Sequence, residues 1–159
     1  MYIYNNYTIA KLISLGLNTL TISPELNKEN ISIFLNDTNY DKELIVYGKL
    51  PVMNINYCLL GKSNKCYSNC KQQCIDDDFY LKDRLGLNFQ IIPDNFLGVT
   101  TIYNCKTTSI NINSAIPFSC RADFIDESID EIQNVIDTIL SGNRLEGREY
   151  TNGNFNKIV

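Results

Sequence analysis

A parallel α/β architecture is the fold class the sequence predicts, and three observations predict it. Strand-length apolar stretches alternate with segments of helical periodicity through the first third of the chain. Glu43-Leu44-Ile45-Val46-Tyr47-Gly48 is a near-continuous apolar run, the pattern of a strand buried on both faces beneath covering helices. After a different middle section, Phe118 to Asp126 and the helix that follows return to the same rhythm. With 159 residues and 44% hydrophobic content, the chain is one domain's worth and can bury a real core, so residues 1–159 are expected to form a single domain.

Tyr2-Ile3-Tyr4 is a short β-prone start, and Ile9, Leu12, Ile13 and Leu15 then recur at helical spacing up to Gly16, which suits a left-handed helix end. Thr19 to Ile22 reads as a strand. Ser23-Pro24-Glu25-Leu26 reads as the opening of a second helix, with Ser23 as N-cap and Pro24 at the first helical position, continued by Ile31, Ile33, Phe34 and Leu35. The Glu43–Gly48 strand follows.

Residues 56–98 break the rhythm and are expected to be a cysteine-rich loop plus a small β-hairpin inserted into the domain. Phe79 to Arg84 and Leu87 to Ile92 are the hairpin strands, with Leu85-Gly86 between them. Thr100 to Asn104 and Phe118 to Asp126 are further strands. The last helix carries a capping box at Ser128-Ile129-Asp130-Glu131, an apolar face of Ile129, Ile132, Val135, Ile136, Ile139 and Leu140, and a stop at Gly142. The tail from Asn143 reads as irregular.

The cysteines carry most of the chemistry. Cys58, Cys66, Cys70 and Cys74 form a C-x7-C-x3-C-x3-C array, and a helix over 65–75 would set the last three thiols on one face. The chain has no histidine, so a metal site here is sulfur-rich or uses carboxylates, and thiolate is the ligand of zinc and of iron–sulfur clusters. A disulfide or redox role and inert thiols are the alternatives.

Without histidine there is no Ser–His or Cys–His pair and no H-E-x-x-H site, and no phosphate-cradling glycine loop is present. Arg121, Asp123 and Asp126, at the end of the last strand, are the candidate catalytic group, with a structural ion pair as the alternative. Asp76, Asp77 and Asp78 are adjacent rather than alternating, which suits solvated surface better than a calcium loop. Asp83 and Arg84 are a candidate bidentate pair anchoring the insertion. A net charge of −4 gives no general pull toward nucleic acid; Lys62, Lys65 and Lys71 are the one compact cationic group in the sequence. Neither a signal-peptide pattern nor a long apolar run is present, which points to a cytoplasmic protein with no membrane partner.

Ser23-Pro24-Glu25-Leu26, Val46-Tyr47-Gly48-Lys49-Leu50-Pro51-Val52-Met53, Tyr57-Cys58, Tyr80-Leu81-Lys82-Asp83-Arg84, Ile102-Tyr103-Asn104, Arg121 to Glu127 and Tyr150-Thr151-Asn152-Gly153-Asn154 occur in an order and spacing that resembles the collagenase-like peptidase family U thirty-two. The resemblance spans nearly the whole chain, and the richness in Asn, Ile and Lys is similar to clostridial members. It implies the second half of a TIM-like (β/α)8 barrel. It also implies either peptidase activity or iron–sulfur-dependent hydroxylation of RNA bases or of a small molecule, with prephenate as oxygen donor in some members. By the resemblance Cys58 matches one family cysteine, and the family's C-x3-C pair matches Cys70 and Cys74, or less well Cys66 and Cys70. The fourth family cysteine falls where this chain has Phe96-Leu97-Gly98, so Cys66 or Cys105 takes that place if a cluster forms. The implied partner is a missing N-terminal half-barrel or a second copy of the chain. A zinc-holding or non-catalytic fragment is the further alternative.

Overall fold

The computed structural model describes residues 2–63, 77–94, 96–114 and 116–157. The chain divides into two compact units, Met1–Gly48 with Thr107–Val159, and Lys49–Lys106.

The first unit begins β1 (Tyr2–Ile3), α1 (Asn6–Ser14), β2 (Thr19–Ile22), α2 (Lys28–Leu35) and β3 (Asp41–Gly48). β1, β2 and β3 are parallel neighbours, with Tyr2 opposite Thr21 and Thr21 opposite Glu43. The Asn5 side chain caps α1 by accepting from the Thr8 amide, and Gly16 follows at φ +86°, where a β-carbon would be disfavoured. The second helix starts later than the sequence predicts. Asn27, not Ser23, is its N-cap, accepting from the Asn30 amide at 3.0 Å. Ser23 instead turns the chain after β2, its hydroxyl accepting from the Glu25 amide at 3.3 Å.

Leu20, Ile22, Leu44 and Val46 point to the helix side and pack with Ile9, Leu12, Ile31, Phe34 and Leu35 into one core. This is the alternation a strand imposes when helices cover one face. Lys42 lies on that side too, nearly buried, with its ammonium 5.4 Å from the Tyr40 ring centre.

In the second unit, β4 (Pro51–Ile55), β5 (Phe79–Lys82), β6 (Asn88–Asp94) and β7 (Val99–Tyr103) form an antiparallel sheet in the order β4-β7-β6-β5. A short helix, α3 (Leu59–Ser63), follows β4. The expected hairpin is present, with Gly86 at φ +83° in its turn. Asp83 acts there through the backbone, one carboxylate oxygen accepting from the amides of Leu85 and Leu87.

The chain returns to the first unit through β8 (Thr107–Ser109), β9 (Ser119–Asp123), α4 (Ile129–Leu140) and β10 (Tyr150–Thr151). β9 runs parallel to β3, so β1, β2, β3 and β9 are four adjacent parallel strands in chain order. β8 pairs antiparallel with the end of β3, at Tyr47 and Gly48, and β10 pairs parallel with β8. α4 carries the expected capping box, and Gly142 follows it at φ +72°. Of its apolar face only Val135 is fully buried, with Ile139 packed against the core, whereas Ile129 and Leu140 are exposed. The result is a mixed α/β protein with four helices among the described residues, and no closed barrel is formed by these strands.

Candidate functional site

The face of β2, β3 and β9 away from the helices carries a chain of polar side chains. Register places Thr21 opposite Glu43 and Ile45 opposite Arg121, and parallel partners share a face. The Thr21 hydroxyl donates to Glu43 Oε1 at 2.8 Å. Arg121 Nη1 approaches the same oxygen at 3.4 Å, and Arg121 Nε donates to Asp123 Oδ1 at 2.6 Å. Three strands are thus stitched by a Thr–Glu–Arg–Asp ladder. The Asp123 bond, followed by the Glu43 contacts, holds the Arg121 guanidinium above its ordinary pKa, so it stays charged throughout.

Side-chain exposures of 44% for Arg121, 27% for Glu43 and 33% for Asp123 mean that water screens the ladder. Its worth to stability is therefore about 0–1 kcal/mol per pair. Asp123 and Glu43 each spend one oxygen on Arg121 and keep a second for a further donor.

The ends of the strands are tied by a second set of bonds. Tyr47, at the end of β3, stacks obliquely on Phe124 with ring centres 5.4 Å apart and donates its hydroxyl to Glu127 Oε1 at 3.0 Å. The other Glu127 oxygen accepts from the amides of Ile125 at 2.7 Å and Asp126 at 3.2 Å. Burial, then the Glu127 bond and charge, push the Tyr47 phenol well above the usual range, so it stays protonated and keeps its proton on the bond to Glu127. Tyr150 is raised as well, by burial first and then by the charges of Glu149, Glu131 and Glu127. Just beyond the ends of β1 and β2, Tyr4 donates to Glu25 Oε2 at 2.9 Å.

Of the sequence-predicted catalytic group, Arg121 and Asp123 come together directly. Asp126 lies beyond them in the loop before α4, held through its backbone by Glu127. Sequence reasoning missed Thr21, Glu43, Tyr47 and Glu127. Glu43 carried a usable signal, being the acid that directly precedes the apolar run Leu44-Ile45-Val46 of β3.

In the second unit, Cys58 is half-buried just before α3. The fully buried Thr100 holds both its neighbours: the hydroxyl donates to the Tyr57 carbonyl at 2.8 Å and accepts from the Leu59 amide at 3.3 Å. The thiol is thereby carried on a fixed backbone. Cys105, also half-buried, directs its sulfur to Asn104 Oδ1 at 3.6 Å. Cys66, Cys70 and Cys74, with the helix expected over 65–75, lie outside the described residues. Among the described residues no three metal-ligating side chains converge, and no helix is long and apolar enough to cross a membrane.

No protein-family model, curated protein or solved structure matches this chain.

Proposed function

We propose that the chain is the second half of a singly wound (β/α)8 barrel of the U thirty-two kind, acting in iron–sulfur-dependent hydroxylation of RNA bases or a small molecule. One observation carries the reading: four parallel strands adjacent in chain order, with helices on one face and the Thr21–Glu43–Arg121–Asp123 ladder on the other. A barrel built from such strands turns the helix-free face inward, and its chemistry sits at the strands' C-terminal ends. There Arg121 and Asp123 would orient a polar substrate, Glu127 would hold the Asp126 loop through its amides, and Tyr47 would offer no base.

The donor set fits the cofactor in kind. Cys58 is a thiol on a backbone clamped by Thr100, and Cys66, Cys70 and Cys74 follow it in sequence, with Cys105 as the alternative fourth ligand. With no histidine in the chain, this set favours a thiolate-held cluster, which when bound supplies one-electron transfer. The oxygen donor on this reading is a prephenate-like co-substrate, the rest of the barrel comes from an N-terminal half or a second copy, and the setting is cytoplasmic.

Anaerobic purification followed by absorbance and by iron and acid-labile sulfide analysis tests the proposal. Iron and sulfide in equal amounts, lost in Cys58→Ser, are expected. A colourless, iron-free protein, or one holding zinc alone, overturns it.

A further inference from the structure

We propose that the cleft between β8 and the segment 144–152 is a binding site for an uncharged vicinal diol, the chemistry of a free sugar or of the ribose of a nucleoside. The inference goes beyond the cluster reading above and does not depend on it. The cleft has a volume of about 330 Å³ and is lined by Ser109, by the Arg144–Glu146 pair and by the first three residues of the Tyr150–Asn154 motif. That volume lies at the small end of the roughly 300–1,000 Å³ usual for small-molecule sites. Ser109 stands opposite Tyr47 in the register of β8 with β3, and Tyr150 feels the charge of Glu127, the acceptor of the Tyr47 hydroxyl. The cleft therefore adjoins the Tyr47–Glu127 bond. Its wall is built in advance, because Ser109 Oγ accepts from the Leu145 amide at 2.8 Å and the Glu149 carbonyl accepts from the Thr107 amide at 2.9 Å, tying the segment to β8 at two points.

The polar groups left over describe the ligand. Ser109 is only 5% exposed and, having accepted from Leu145, keeps its O–H unspent among the described residues. Thr151 Oγ1 likewise accepts, from the Gly153 amide at 3.1 Å, and keeps a proton to give. The Tyr150 hydroxyl and the Asn152 side-chain amide make no hydrogen bond among the described residues. Arg144 spends Nε and Nη2 on Glu146 Oε1, at 3.0 and 2.8 Å, which leaves further guanidinium N–H groups beside a free Glu146 Oε2. Two planar groups thus set a donor next to an acceptor, the Asn152 amide and the Arg144–Glu146 pair. Neighbouring hydroxyls, each of which both gives and accepts, match that arrangement. Charge disfavours the other classes. An anion meets Glu146, and also Glu149, Glu131 and Glu127, whose charges add to burial in raising the Tyr150 phenol. A cation meets Arg144, and an apolar group leaves the buried Ser109 hydroxyl without an acceptor.

Heteronuclear NMR of the intact chain, titrated with D-ribose, uridine and their 2-deoxy and 2′-deoxy counterparts, tests this. At least one diol should shift the 144–152 amides saturably, with a dissociation constant below about 1 mM, and its deoxy counterpart should bind at least about tenfold more weakly. Equal binding of ribose and uridine assigns the site to a free sugar, and binding of uridine alone assigns it to a nucleoside. Asn152→Ala should weaken the diol at least about tenfold and leave amide signals outside the cleft in place, since that side chain holds no other described residue. Inorganic phosphate should shift nothing in the segment. No saturable shift with either diol, equal binding of the deoxy compounds, indifference to Asn152→Ala, or binding of phosphate in their stead overturns the inference. Iron is measured on the same sample, so an iron-free protein that binds the diol defeats the cluster reading alone, and an iron-bearing one that ignores it defeats this inference alone.

Discussion

Gly48 sits where β3 ends against β9, and replacing it with alanine gives the sharpest test of how the ladder is positioned. Its φ of +138° is a conformation that residues with a β-carbon rarely adopt, which costs about 1–3 kcal/mol. A β-carbon built there lies 2.6 Å from the Asp123 carbonyl oxygen and 3.0 Å from the Asp123 β-carbon. Both atoms belong to the partner strand, so no side-chain rotation relieves the contact, and β9 must shift. Adding roughly 1 kcal/mol for that displacement gives a total of about 2–4 kcal/mol. For a chain of 159 residues this lowers Tm by roughly 5–15 °C. Gly16→Ala is the control, since its φ of +86° is also unfavourable but nothing lies within 4 Å of the added carbon. It should cost only about 1 kcal/mol. Urea unfolding followed by circular dichroism measures both. A Gly48→Ala loss no larger than that of Gly16→Ala would refute the close approach of β3 and β9, and with it the placement of Asp123.

Tyr40 is buried, and burial first and the Asp37 charge second push its phenol up to about 12. A folded-state pKa above the unfolded value near 10 means that its contribution to stability is complete below pH 10 and is lost as pH rises toward 12. Tyrosine absorbance during alkaline titration should show one late phenol disappear in Tyr40→Phe. Ser128→Ala removes the hydroxyl half of the capping box on α4 and should cost about 1 kcal/mol in thermal or urea unfolding. Arg121→Gln breaks two partly exposed ion pairs and should change stability by less than about 1 kcal/mol. A larger loss in calorimetry would make the ladder structural rather than ligand-directed.

Local elements were legible wherever side-chain pattern and backbone need coincide. β2 spans the expected Thr19–Ile22, α4 starts at the expected capping box, and Gly16, Gly86 and Gly142 all take positive φ at turns or helix ends. Ser23 misled because serine followed by proline opens turns as readily as helices, and the tertiary path placed Asn27 at the α2 cap. The exposure of the α4 stripe was equally hidden, because periodicity identifies an apolar face without stating what covers it.

The sequence by itself determined that the chain mixes helices and strands, the order β1-α1-β2-α2-β3 and the capped helix α4, and the histidine-free character of any metal site, because these follow from local periodicity and composition; it did not give β4, α3 or β8, and the tail expected to be irregular from Asn143 holds β10 at Tyr150–Thr151. Only the tertiary structure decided that β9 lies parallel beside β3, and hence that Arg121 meets Glu43 across 78 positions of chain. It likewise decided that Tyr47 reaches Glu127 and that Thr100 holds the backbone around Cys58. Such contacts depend on register between distant strands, and register is set by packing of the whole sheet rather than by any one stretch of residues.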